Sequence, residues 1–310
     1  MRTIVRLSFF ARLSILTGFL LVFARLALAD GLVLYSTIPA SLPPNLPSQA
    51  YEATATSEFG GLIQFTGGGS SYSLTSATVE MSDWALASDY PSIAGSGFSL
   101  PLTLNLYGVG ANNSVGPSFA SVTVNAFIPW RPAPSGGCGA GYLGSDGNCY
   151  HGSLSAVTFN LSGLSASGEI IYGLSFNTTD YGAAPTAVPG PYDSLNFALS
   201  SAPPSAGGNP LPDTAYIDSL NSSVYGDDAG NVGSFGPSTG WSPYSPAIEF
   251  DGEADPAGGG NPAVTPEPSS LLLLGSGLLG LSILLLRRNR ACHQAPHLQR
   301  SLMTGPKTPS

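Results

Sequence analysis

Phe98, Leu100, Leu102, Leu104 and Leu106 alternate with Ser99, Pro101, Thr103, Asn105 and Tyr107. A period of two is the signature of a strand with one buried face, and no helix satisfies it. Pro101 lacks an amide hydrogen, so this strand is expected at an edge or a bulge. The pattern recurs. Val122, Val124, Ala126 and Ile128 alternate with Ser121, Thr123, Asn125 and Phe127, and Ile170, Tyr172, Leu174 and Phe176 form a third stripe. Shorter strand candidates are 32–38, 62–66, 72–81, 157–161, 195–199 and 247–250. Clusters of Gly, Pro, Asn and Ser separate them, as turns require. No window holds a long amphipathic helix. Many strands without alternating helices predict an all-β fold, an antiparallel β-sandwich or jelly roll. Between Ala202 and Ala263 the chain is richer in Pro, Gly and Asp and reads as poorer in strands.

Both ends of the chain lie outside that pattern. Arg2, Arg6 and Arg12 precede the apolar run Leu13 to Ala24, and Ala27-Leu28-Ala29 fits a small-residue cleavage site. Residues 1–29 therefore read as a secretory signal peptide, with a mature start at Asp30. At the other end, Pro266-Glu267-Pro268 precedes an uncharged run, Leu271 to Leu286, and then Arg287, Arg288 and Arg290. Residues 269–286 give about 18 positions, near the lower limit for a transmembrane helix. Arginines directly after a span favour the cytoplasmic side, which puts the large N-terminal part outside. Residues 30–253 are left for the β domain, 254–263 for a flexible stalk and 291–310 for a polar, disordered cytoplasmic tail.

The three-part tail, 264–290, resembles the PEP-CTERM sorting signal of Gram-negative bacteria, which also carries the label of an ice-binding protein C-terminal domain. That label describes the tail alone. No regular Thr-x-Thr array is present to build a flat ice-like face. The resemblance implies a membrane anchor recognised by an exosortase-type sorting protease, and a destination at the cell surface or in the polysaccharide matrix. This chain departs from the pattern by running on past the arginines to Ser310. A second resemblance rests on Phe127-Ile128-Pro129-Trp130-Arg131-Pro132, the pair Cys138 and Cys149, the run Tyr172 to Thr178, and Pro191 to Asn196. It is to an uncharacterised extracellular β-sandwich domain, and it implies a fold and a location but no catalytic residues.

Charge is distributed unevenly. All nineteen acidic residues lie from Asp30 to Glu267, where Arg131 is the lone Lys or Arg, so this part carries a formal −18. Nucleic acid is disfavoured, because its phosphates are bound through Lys and Arg. Arg131 is expected to pair with a carboxylate or to pack on Trp130. Trp130 and Arg131 are also the candidate glycan contact, by stacking on a sugar. Cys138 and Cys149 bracket ten residues with four glycines and are expected to form a disulfide in an oxidising compartment. Asp251, Glu253 and Asp255 alternate and could offer oxygen ligands to Ca²⁺, against the reading of a solvated acidic linker. His151 alone cannot complete a Cys/His zinc set. No G-x-S-x-G elbow occurs in the exported part. The functional expectation is a non-enzymatic, envelope-anchored or surface-sorted protein, structural or glycan-associated. The alternative is a polysaccharide hydrolase using two carboxylates, and nothing in the sequence singles out the pair.

Overall fold

A computed structural model describes residues 32–220, 225 and 233–255. They form two antiparallel sheets sharing one core. The first sheet contains β1 (Leu32–Ser36), β2 (Ser48–Ala50), β4 (Ser71–Asp83), β9 (Ser153–Ser167), β11 (Leu195–Ser200), β14 (Ser245–Pro246) and β15 (Ile248–Ala254). The long strand β4 organises it, pairing with β9 along one side and with β15 and then β11 along the other. The second sheet runs in the order β13 (Gly236–Thr239), β12 (Thr214–Ser219), β3 (Thr56–Gln64), β10 (Glu169–Ser175), β5 (Gly97–Val109), β6 (Val115–Pro129). A two-stranded hairpin, β7 (Tyr142–Leu143) and β8 (Cys149–Tyr150), stands apart.

The alternating stripes face inward as expected. Leu102, Leu104 and Leu106 of β5 are fully buried, and so are Ile170 and Leu174 of β10. Aromatic rings join the two sheets. Phe59 of β3 meets Phe197 of β11 edge-on at 6.1 Å, and Tyr172 of β10 meets Phe250 of β15 at 5.7 Å. Trp241 packs on Phe59 at 4.9 Å. Such large buried rings bring much apolar area per side chain into the core that drives closure. Backbones also approach closely at one point. Gly60 and Gly173 are paired across β3 and β10, and a Cβ on Gly60 would lie 1.8 Å from the Tyr172 carbonyl oxygen. Only glycine fits there.

β5 lies inside the sheet only from Thr103 onward, where it pairs with both β10 and β6; Pro101 pairs with Asn125 of β6 alone, so it sits at a local edge as expected. The structure corrects two details. The stretch from Ala202 contains a central strand, β12, whose Tyr216 and Ile217 are buried on opposite faces. The β domain extends past 253. Ala254 pairs with Tyr72, and the Asp255 amide donates to the Ser71 carbonyl. A stalk therefore cannot start at Ala254.

Among the described residues no helix is long and apolar enough to cross a membrane. The signal peptide at 1–29, the remaining stalk positions 256–263, Pro266, Glu267 and Pro268, the expected span 269–286, Arg287, Arg288 and Arg290, and the tail 291–310 lie outside the described residues.

The inter-sheet aromatic contacts predict a large cost for truncation. Phe59→Ala removes the ring that meets both Phe197 and Trp241, and is expected to destabilise the fold by about 3–5 kcal/mol in chemical denaturation. A cost below about 1 kcal/mol would mean that this ring does not hold the sheets together.

Candidate functional site

At one end of the sandwich an open groove of about 450 Å³ is lined by Ile93, Phe98, Ser99, Phe127, Pro191 and Tyr192 among others. Phe127 is 55 % exposed although it lies within β6. Its alternation with buried Ala126 and Ile128 turns it outward. The opposite wall is a loop held by Asp193. That carboxylate accepts from the Thr179 amide at 2.8 Å, the Thr179 hydroxyl at 2.7 Å and the Gly190 amide at 3.1 Å. The Tyr192 hydroxyl donates to the Val188 carbonyl and accepts from the Thr186 hydroxyl. The ring is thereby fixed at the groove rim.

Trp130 stands behind this wall. It stacks almost parallel to Tyr90 at 5.9 Å, packs on Phe98 at 5.2 Å, and donates from Nε1 to the Gly95 carbonyl at 3.1 Å. It supports the groove through Phe98.

Arg131 does not join it there. The side chain is only 8 % exposed, so no external ligand reaches it, and the pairing of Trp130 with Arg131 as a glycan contact is corrected. Arg131 instead sits where its charge acts on the Asp83 carboxylate. Its Nε donates to the Trp84 carbonyl at 2.9 Å and its Nη1 to the Ala140 carbonyl at 3.1 Å. Ala140 lies inside the loop closed by Cys138 and Cys149, which are disulfide-bonded with Cα atoms 5.5 Å apart. Arg131 therefore fastens this loop to the end of β4. Tyr142 adds a second tie, donating to the Gly152 carbonyl at 3.0 Å.

Asp83 shares this junction. It is fully buried, its Oδ1 accepts from the Ala85 amide at 3.1 Å, and its Oδ2 has no hydrogen-bond partner. Burial raises its pKa to about 7, and backbone amides with the Arg131 charge offset only part of that. Removing a carboxylate from water costs more than one nearby guanidinium restores.

The acidic run does not assemble a calcium site. Asp251 accepts from the Ser76 hydroxyl, and Asp255 from the hydroxyls of Ser71 and Ser73. The carboxylates of Asp251 and Asp255 are used to tie β15 to β4. No group of three or more His, Cys, Asp or Glu able to hold a metal occurs among the described residues. His151 stacks on Trp84 with ring centroids 6.2 Å apart.

One carboxyl pair that sequence reading missed lies on the outer face of the second sheet. Glu58 and Asp218 are directly opposite on β3 and β12. Glu58 Oε1 accepts from Asn105 Nδ2 and from the Tyr107 hydroxyl, both at 2.9 Å. Burial raises the pKa of both acids; Asn105 and Tyr107 oppose this for Glu58, while the Asp218 charge adds to it. The pairing depends on β12, and the strand-poor reading of that segment concealed it.

Asp83 sets a pH dependence with a definite sign. Its folded pKa lies above the unfolded value of 3.8, so the protonated form favours the fold. That contribution is fully present below the unfolded pKa and is lost as pH rises through about 7. The fall in denaturation midpoint between about pH 5 and pH 8 is expected to be shallower in Asp83→Asn than in the unsubstituted protein. Equal slopes would show that Asp83 titrates normally.

No curated protein matches the chain, and no solved structure matches it. Residues 264–289 match the family model described as the PEP-CTERM protein-sorting motif. The chain carries at its C-terminal end a motif that implies export and processing by an exosortase-type membrane protease.

Proposed function

We propose that this is a non-enzymatic protein of a Gram-negative envelope, anchored through 269–286, sorted at Pro266-Glu267-Pro268, and associated at the surface with neutral polysaccharide. The sorting motif at 264–289 is the observation that carries the reading. The groove supports the ligand class. Flat aromatic faces at Phe127 and Tyr192 suit the apolar faces of sugar rings, with Ser99 beside them for hydroxyl contact. Charge narrows the class further. Arg131 is the lone Lys or Arg among the described residues, and it is buried. An anionic polymer would meet no exposed guanidinium or ammonium on this surface and a large excess of carboxylates.

A second reading is favoured by one observation, the facing acids Glu58 and Asp218. Two carboxyls with separated roles are what glycoside hydrolysis needs, one protonated as acid and the other ionised. Against it, Glu58 Oε1 is committed to Asn105 and Tyr107, and Asp218 accepts from the Gly233 amide at 2.9 Å.

Two measurements test these readings. The intact mass of protein recovered from its native envelope is expected to correspond to a product starting at Asp30 and ending near Pro268. A mass retaining Leu271 to Ser310 would replace sorting with a permanent anchor. Native gels cast with neutral or acidic polysaccharides are expected to retard the protein only in the neutral ones. Tyr192→Ala and Phe127→Ala should each weaken that retardation about tenfold, the equivalent of about 1.4 kcal/mol of lost ring burial. Retardation by acidic polymers alone would overturn the groove assignment. Release of reducing ends that Glu58→Gln abolishes would instead establish the hydrolase.

A further inference from the structure

β6 and β9 are each fifteen residues long, and each is the free margin of its sheet. β6 pairs with β5 and β9 with β4; on the other side neither has a strand partner among the described residues. The two margins run near one another along one flank of the sandwich without hydrogen-bonding together. A long unpaired strand is a template for further pairing. Proteins that avoid this place charges or proline on such edges, or cover them.

Along the central part of β6 those protections are missing, since the register shifts of the β5–β6 ladder fall between Val115 and Ala120. No Asp, Glu, Lys or Arg occurs from 90 to 130, or from 147 to 168. The prolines of β6, Pro117 and Pro129, stand near its ends and leave 118–128 free of proline. The seam beneath the edge is also incompletely closed. Ala120, Val122 and Val124 point toward the core and pack against it, yet stay only partly buried. Their direct partners on β5, Leu106, Leu104 and Leu102, are completely buried.

Charge selects the occupant. A two-fold contact places a surface against its own copy, so any charge near the axis meets its like. On an exported part with a formal −18 from Asp30 to Glu267 and one buried arginine, most surfaces would repel their copies. The β6 flank is free of that penalty. Its outward side chains at the centre, Ser121, Thr123 and Asn125, are small and polar, and Thr123 already meets Thr103 across the ladder with hydroxyls 2.8 Å apart. We propose that β6 is a self-association edge, with two copies of this chain pairing β6 antiparallel to β6 about an axis near Thr123. The pairing would extend the second sheet across both copies and cover Val122 and Val124. It is independent of the glycan reading.

The test is the mass of the full-length chain in detergent across a concentration series, measured by light scattering with the detergent contribution subtracted. A dimer is expected. Thr123→Lys puts like charges at the axis and should raise the dimer dissociation constant at least about tenfold. Ser201→Lys adds the same charge at an exposed loop position and should leave the constant unchanged. Both variants alter exposed side chains, and an unchanged thermal melt confirms that each is folded. A monomer at every concentration would overturn the proposal. So would a dimer that Thr123→Lys leaves intact, since that dimer would be held by another part of the chain.

Discussion

The fold depends on closing two sheets over a layer of aromatic rings. Phe59 lies at the centre, touching Phe197 of the opposite sheet and Trp241 from the loop beyond β13. Tyr172 and Phe250 repeat the contact further along. Filling this layer with large rings explains how a chain with so many glycines and prolines assembles a continuous core. It also explains the glycine pair at Gly60 and Gly173. Where β3 and β10 come together, a side chain at Gly60 would strike the neighbouring backbone, and one at Gly173 would strike Glu58. Buried hydroxyls are satisfied within the same layer. Tyr51 stacks on Phe176 at 4.1 Å and donates to the Leu174 carbonyl at 2.7 Å, so its polar atom costs little to bury.

The other organising contact is polar. One guanidinium serves the whole described domain, and it is spent on two carbonyls, those of Trp84 and Ala140. This ties the disulfide loop to the strand that organises the first sheet. It leaves the Asp83 Oδ2 without a partner. A buried carboxyl without full compensation lowers its own charge by taking up a proton, which is the origin of its raised pKa. The junction is therefore stable as a loop anchor and sensitive to pH as a charge site.

The sequence discloses those parts of the fold in which a residue faces one environment. Strands with one wet face, such as β5 and β6, announce themselves by alternation. β12 does not, because Ala215 and Ile217 enter the main core while Tyr216 enters a second cluster with Leu62 and Ile171. A strand buried on both faces has no period of two to detect. The disulfide is legible from cysteine spacing and compartment. The groove is not, since its walls come from residues near 93, 98, 127 and 192, which only the hairpin β5–β6 and the Asp193-held loop bring together. Trp130 was visible as an aromatic beside a lone arginine, yet the two side chains point to different work. Tryptophan backs the groove, and arginine fastens a loop.

Charge connects the domain to its address. An acidic surface without exposed Lys or Arg stays soluble outside the cell and resists adsorption to anionic lipids and polymers. A protein built this way cannot rely on electrostatics to stay where it is sorted. On the proposed readings, retention is shared between the anchor at 269–286 and contacts that need no opposite charge, namely aromatic faces on neutral sugars and backbone hydrogen bonds along a strand edge. The uncharged stretch from 90 to 130 includes Phe127 of the groove and the whole of β6, while Tyr192 reaches the groove from the Asp193-held loop. On the proposed self-association, the acidic remainder would keep other surfaces apart and direct pairing to the flank where no like charges meet.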